Sequence, residues 1–308
     1  MTIISGTPAT TAVTAGGYDA YATLSEIKSA APETFGSSTT YDKAICQLAE
    51  RASRLIDMLT RRTFYATTAT RYFPGTGSAR LFIPDLLAIT SVNISSDYGT
   101  TWAEVVSGDY LALGGRDLDD AITPYMAIEL HPTGSYLEWY KGPRACKVVG
   151  VWGYHADYAN AWEDSQDTIE NTGGILANAT SITVNDADGV DLRGYTPRFA
   201  YGQWLLIESE QFACVGMNAQ TNALTVVAAR HGTAAAAHAK DKAIYIWQPD
   251  PVVKQATIAQ ALRWFKRGQQ SFQDTGGIAE LGTLTYTKKL DPEIESMLLD
   301  SGLRRSRA

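Results

Sequence analysis

The sequence predicts an α+β chain: a small helical bundle with an antiparallel β region, plus an inserted all-β barrel or sandwich module. Three observations predict it. Apolar residues recur at three- and four-residue steps between 42 and 62 and again after Pro251, the period of an amphipathic helix. Short runs rich in β-branched and aromatic residues fill 70–152. Five further short runs, at 181–184, 203–207, 211–215, 223–227 and 243–247, are separated by Gly, Asn, Asp or Thr.

In chain order, residues 1–18 carry no charged side chain and read as a flexible N-terminal arm. Residues 19–170 and 249–288 form the helix-and-sheet core, 171–248 the inserted β module, and 289–308 a C-terminal docking helix with a basic tail. Thr23-Leu24-Ser25-Glu26 opens a short helix with capping-box spacing, and Pro32 and Gly36 end it. From Asp42, an N-cap or first-turn acid, to Arg62, the residues Ile45, Leu48, Ala52, Leu55, Ile56 and Leu59 form one stripe. Arg51, Arg54, Arg61 and Arg62 lie mainly off it. Strands are expected at Thr70–Phe73, at Arg80–Ile83 ending at Pro84, and at Ile89–Ser95. Further strands are expected at Met126–Leu130, Tyr136–Lys141 and Cys146–Trp152. Pro251 suits a first helical turn, and Val252, Ala256, Ala259, Leu262 and Phe265 or Lys266 continue that helix to about Arg267. Leu284–Thr287 reads as extended. Asp291-Pro292-Glu293 begins the last helix, which Gly302 terminates before Arg304, Arg305 and Arg307.

Composition removes several classes. Of the 308 residues 45% are hydrophobic but only 19% charged, and 26 Lys plus Arg against 33 Asp plus Glu leave a formal charge of −7. Non-specific nucleic-acid binding needs surplus cations, so this balance argues against it. No apolar run approaches the roughly 18 residues of a membrane helix, and the first residues lack the basic start and apolar core of a signal peptide. Cys46, Cys146 and Cys214 are dispersed and lack CxxC spacing, which fits inert buried thiols rather than a disulfide framework or a zinc site.

No catalytic constellation emerges, and no cofactor or metal is expected. His131, His155, His231 and His238 have no motif partners, and the seven-residue separation of the last two does not match zinc spacing. Asp186, Asp188, Gly189 and Asp191 imitate a calcium loop, but alignment on Gly189 places Val184 and Tyr195 where ligand oxygens are required. Asp117, Asp119 and Asp120 read as a solvated loop. No GxSxG elbow, Walker loop or HExxH is present. The chain is expected not to be an enzyme.

The series Tyr21–Lys28, Leu48–Asp57 running into Thr63-Phe64-Tyr65, Thr70–Phe73, Leu81–Pro84, Ile89–Val92, Val148–Tyr154, the helix from Pro251, and Leu290–Glu295 resembles the head–tail connector (adaptor) proteins of tailed bacteriophages. The resemblance covers about 20–155 and 249–305. The insertion resembles a small β module of phage virion proteins, marked by Thr180–Val184, Gly202–Ile207, Glu210 and Arg230-His231-Gly232-Thr233 through His238. Those residues more often shape a turn than bind a ligand. The resemblance implies a virion protein at the head–tail junction, made in the bacterial host cytoplasm. It also implies a homo-oligomeric ring, commonly of twelve, beneath the portal protein, with a downstream neck or tail protein below. DNA passes through the ring without specific binding, and no membrane is involved. It implies portal docking by Leu290, Ile294, Met297 and Leu298 with Arg304 and Arg305, while Arg51, Arg54, Arg61 and Arg62 line a subunit interface or the channel. The other reading is a virion surface or tail protein whose β module binds glycan or host receptor, using Tyr195, Tyr201, Trp204 or Trp247. Residues 240–308 carry 11 Lys plus Arg and 8 Asp plus Glu, a net of +3, which leaves −10 for 1–239.

Overall fold

The computed structural model describes residues 19–115, 118–120, 122–269, 275–276, 284–285 and 292–305. It overturns the expected fold class: among these residues the chain is built mainly on two antiparallel sheets, of seven and six strands, with five helices, and not on a helical bundle with β additions. The chain divides into two compact units. One comprises Met1–Arg61, Trp162–Arg230 and Ala234–Ala308; the other comprises Arg62–Ala161 and His231–Thr233.

The helices belong to the first unit: α1 (Leu24–Ser29), α2 (Pro32–Phe35), α3 (Asp42–Thr60), α4 (Pro251–Gln269) and α5 (Pro292–Asp300). Thr23 caps α1 through a reciprocal box. Its hydroxyl accepts the Glu26 N–H at 3.2 Å, and the Glu26 carboxylate accepts the Thr23 N–H at 2.7 Å. Pro32 does not end α1 but occupies the first turn of α2, where its missing N–H costs nothing. Tyr41 is the N-cap residue of α3, so Asp42 serves as its first-turn acid and pairs with Lys28 at 2.9 Å. Ile45, Ala52 and Ile56 of the expected stripe are buried and Leu48, Leu55 and Leu59 half-buried, while Ala49, Ser53 and Thr60 share the buried face. Ser53 and Thr60 are tolerated there because each hydroxyl donates to the carbonyl four residues back, at 2.9 and 2.8 Å. Of the expected α4 stripe Ala256 and Phe265 are buried and Val252, Ala259 and Leu262 half-buried, while Val253, Ile258 and Ala261 share the buried face. Its apolar residues surround the helix too evenly for the period to choose a face.

The second unit holds β1 (Thr67–Gly75), β2 (Arg80–Ile94), β3 (Ala103–Glu104), β4 (Tyr110–Gly114), β5 (Asp119–Asp120), β6 (Tyr125–Leu130) and β7 (Gly142–Trp152). Their order is β1-β7-β2-β6-β4-β5, with β3 pairing β2. Three expectations fail here. Pro84 does not end a strand, because β2 runs on through it. The register with β6 skips from Phe82 to Leu86, and pairing with β7 begins at Leu86, so the proline falls in a bulge where the strand changes partners. Tyr136–Lys141 is not a strand. Trp139 is fully buried, its N–H donating to Ser78 O and its carbonyl accepting the Gly77 N–H, with no ladder around it. Asp119–Asp120 is a short edge strand paired with Leu113–Gly114 rather than a loop, and Asp117 lies outside the described residues. One face of the sheet is packed by Ile83, Leu86, Val92, Ile128, Val148 and Trp152.

The first unit also holds β8 (Trp162–Thr168), β9 (Ser181–Thr183), β10 (Trp204–Ile207), β11 (Glu210–Asn218), β12 (Ala223–Val227) and β13 (Ala243–Trp247), ordered β8-β13-β10-β11-β12-β9. The chain after β8 turns to meet β9, where the Glu170 N–H donates to Thr183 O at 2.8 Å. Ile182, Phe199, Leu205, Phe212, Leu224 and Ile244 pack beneath the sheet. The expected arm at 1–18 lies outside the described residues, and of the extended 284–287 stretch only Leu284–Thr285 is described, as a strand.

Gly150 in β7 is required by close approach. A Cβ there would lie 2.3 Å from Ala88 O and 2.9 Å from the Leu86 side chain. Gly150→Ala is therefore expected to destabilise the second unit by about 1–3 kcal/mol, the usual cost of overpacking. Denaturant unfolding checks this; an unchanged midpoint would contradict the packing.

Candidate functional site

The polar groups most deeply built into the first unit fasten loops. β10 and β11 are joined by Glu208-Ser209, a tight turn with Glu208 in the left-handed region (φ 54°), and Glu210 follows it. Glu210 is fully buried. Its Oε1 accepts the Ala229 N–H at 2.9 Å and its Oε2 accepts the Ala236 N–H at 2.8 Å. The same Oε2 stands 2.9 Å from His238 Nε2, and His238 Nδ1 stands 2.7 Å from Glu208 Oε2. Lys242 completes the chain at 2.6 Å from Glu208 and, with His238, holds that carboxylate below its ordinary range. His238 is also tied through its backbone to Ile175, by bonds of 2.8 and 3.0 Å. A buried carboxylate engaged by two backbone donors and an imidazole is a structural fastener, with no side of it open to a substrate. Glu210 and His238, met in the sequence only as module marks, are thus brought together across 28 residues.

Asp167 does the same for the 185–198 loop. It is buried in β8 and accepts the N–H groups of Thr168, Asn185 and Asp186 and the Arg198 guanidinium, all at 2.8–2.9 Å. Asp191, one of the imitation calcium ligands, accepts the Arg193 and Tyr195 N–H groups of its own turn. Among the described residues no group of three His, Cys, Asp or Glu could hold a metal. His131 Nδ1 sits 2.8 Å from the Thr133 hydroxyl, His155 Nδ1 accepts the Asp157 N–H, and His231 stacks on Tyr65. All three cysteines are free, and burial pushes each thiol up to about 12, which removes the thiolate needed for nucleophilic work.

The expected interface residues each take their own contacts within the chain. Arg51 lies over the Trp264 ring at 4.5 Å; Arg54 pairs with Asp57 at 3.2 Å and donates to Asp19 O. Arg61 is the left-handed C-cap of α3 and is exposed. Arg62 belongs to the second unit, where it pairs with Asp85 at 3.4 Å and covers the Tyr154 ring. Ile294 and Leu298 are buried in this chain, with α5 packed on α4. Met297 is half-buried, Arg304 exposed, and Arg305 half-buried with its N–H donating to Thr60 O at 2.9 Å. Leu290 lies outside the described residues. Of the aromatics considered for ligand binding, Trp204 and Trp247 are buried and Tyr201 half-buried, which leaves Tyr195 exposed beside Val190 and Leu192.

Asp57, which no catalytic or metal motif singled out, carries a carboxyl moved toward neutrality. Burial pushes its carboxyl up to about 6, against the Tyr21 hydroxyl that donates to it at 2.6 Å and the Arg54 guanidinium.

No protein-family model matches the chain, and no curated protein matches it significantly. Among the described residues no helix is long and apolar enough to cross a membrane.

Two outcomes follow from these contacts. The folded pKa of Asp57 exceeds its unfolded value of 3.8, so its contribution to stability is complete below about pH 4 and is lost as pH rises through about 6. Asp57→Asn should remove that loss, gaining on the order of 3 kcal/mol on wild type between pH 4 and 7. Parallel pH–stability curves for the two proteins would contradict it. Glu210→Ala orphans two backbone donors and the imidazole, and should cost about 2–5 kcal/mol. Faster amide exchange at Ala229 and Ala236 is the accompanying sign, and unchanged exchange there would contradict the fastening role.

Proposed function

We propose that this chain is a structural subunit of a tailed-phage head–tail junction, an adaptor that assembles as a ring beneath the portal, carries a neck or tail protein below, and lets DNA pass. The observation that carries this reading is the ordered series of segments from Tyr21 to Glu295 resembling that family. The disposition of polar groups supports it. The buried acids and histidine hold loops and one another, while a chain with only 19% charged residues keeps large apolar side chains exposed, among them Met58 (74%), Phe82 (59%) and Leu137 (64%). Surface of that kind suits lasting contact with other subunits rather than turnover of a small substrate.

Because Ile294 and Leu298 are already buried within the chain, docking by the C-terminal segment falls to Met297, Leu299 and Arg304, with Leu299 41% exposed. The net charge of −7 suits a channel through which DNA slides without being held. The exposed Tyr195, Val190 and Leu192 favour receptor or glycan binding as the second reading.

Electron microscopy of the protein with portal-bearing capsids is the test. A ring of about a dozen copies at one vertex is expected. A monomer or trimer that ignores capsids and binds host cells would replace the adaptor by the receptor reading.

A further inference from the structure

In a chain that carries −7 overall, the exposed charge on α3 has one sign. The exposed residues of this helix are Lys43, Ala44, Gln47, Arg51, Arg54 and Met58. At 3.6 residues per turn, Lys43, Gln47, Arg51, Arg54 and Met58 fall within about 80° of the helix circumference, a single narrow stripe. The three acids of α3 are half-buried and engaged. Asp42 pairs with Lys28 at 2.9 Å, the Glu50 carboxylate accepts the Asp19 N–H at 3.4 Å, and Asp57 takes the Tyr21 hydroxyl and Arg54. Among the described residues no carboxylate pairs with Lys43 or Arg51, nor with Arg61, the exposed residue that closes the helix. Arg51 is positioned by the Trp264 ring, 4.5 Å away, rather than by a counter-charge. From Lys43 to Arg61 the line of cations runs about 27 Å at 1.5 Å per residue. Arg62, expected with these arginines, is left out because it pairs with Asp85, and Lys43 takes its place.

We propose that this stripe is the surface by which the chain meets double-stranded DNA, with Lys43, Arg51 and Arg61 contacting the phosphate backbone and no base being read. The proposal rests on the head–tail reading, which brings a duplex past the chain. Over 27 Å a duplex presents about sixteen phosphates, roughly one per 1.7 Å of its axis, so three cations find partners whatever the sequence. The acidity of the whole chain does not oppose this, because exposed charges farther off than the Debye length of about 10 Å are largely screened. Three contacts release few counterions, so the attraction is weak and salt-sensitive, and the duplex slides along the stripe. A folded acidic partner would call for an apolar centre to the patch, and Met58 is the only large apolar side chain exposed within the helix.

Fluorescence anisotropy of a labelled duplex of about 30 base pairs, titrated with the full chain to submillimolar concentration between about 50 and 200 mM salt, tests this. Wild type should bind unrelated sequences alike. Its log affinity should fall against log salt with a slope of about −2.7 per protomer, roughly a 40-fold loss over that range. Lys43→Gln, Arg51→Gln and Arg61→Asn should each reduce the magnitude of that slope by about 0.9. Asn suits the left-handed conformation at Arg61 and Gln suits an exposed helical position at Lys43, so these two variants keep the fold even where Arg51→Gln disturbs Trp264. Lys141→Gln, at an exposed cation of the other unit, should leave the slope unchanged. Wild type that binds no duplex at about 50 mM salt overturns the proposal, as does a slope indifferent to all three variants. Preference for poly-glutamate over duplex also overturns it and would point to an acidic protein surface. Capsid attachment without duplex binding would sink this contact and leave the head–tail reading standing, and duplex binding without a ring at the vertex would do the reverse.

Discussion

Backbone hydrogen bonding is the constraint on which this structure depends. Each strand added to a sheet must find partners for its N–H and C=O groups, and groups left without them in a dry interior are costly. In the second unit the demand is met by a sheet whose longest strand, β2, changes neighbours at Pro84–Asp85 and so spans the width of the core. In the six-stranded sheet of the first unit most strands are short, and the loops at 169–180, 184–203 and 228–242 are long. There the burden moves to side chains, with Glu210 and Asp167 serving loop amides that no strand reaches.

That division of labour bears on function. A buried carboxylate with several donors around it is also how an active site would begin, but here the donors are the chain's own loop amides and an imidazole. Glu208, His238, Glu210 and Lys242 form a closed line from the surface to the backbone of the 229–236 loop. Chemistry of this kind holds a shape. On the proposed function, contact surface comes instead from exposed aromatic and aliphatic side chains such as Phe82 and Leu137.

What the sequence disclosed follows from which signals are local. Thr23 and Glu26 are three residues apart and their reciprocal cap was legible; so was α3, whose period repeats over five turns. The runs beginning near 181, 203, 211, 223 and 243 each contain a strand. β8 was not legible, because its inward positions are Ser165 and Asp167, polar residues satisfied by partners up to 31 residues away. Tyr136–Lys141 misled because its apolar residues serve to seat Trp139 rather than to alternate across a pleat. The fold class itself failed because α3 and α4 are the longest elements, while more of the described chain sits in strands than in helices, in short runs that are individually weak. That Arg51, Arg54, Arg61 and Arg62 make different contacts was hidden for a related reason. Helical spacing reports a face, but that face ends at Arg61, itself the left-handed residue that closes α3, and Arg62 follows it.

The claim most exposed to experiment is that buried carboxylates hold the long loops of the first unit. Amide exchange of the wild-type chain and of Asp167→Ala reads this directly at Asn185 and Asp186, whose N–H groups that carboxylate accepts. Both amides should exchange slowly in wild type and faster in the variant, while those of β10 and β11 stay protected in the two proteins. Equal protection of Asn185 and Asp186 in wild type and variant would contradict it.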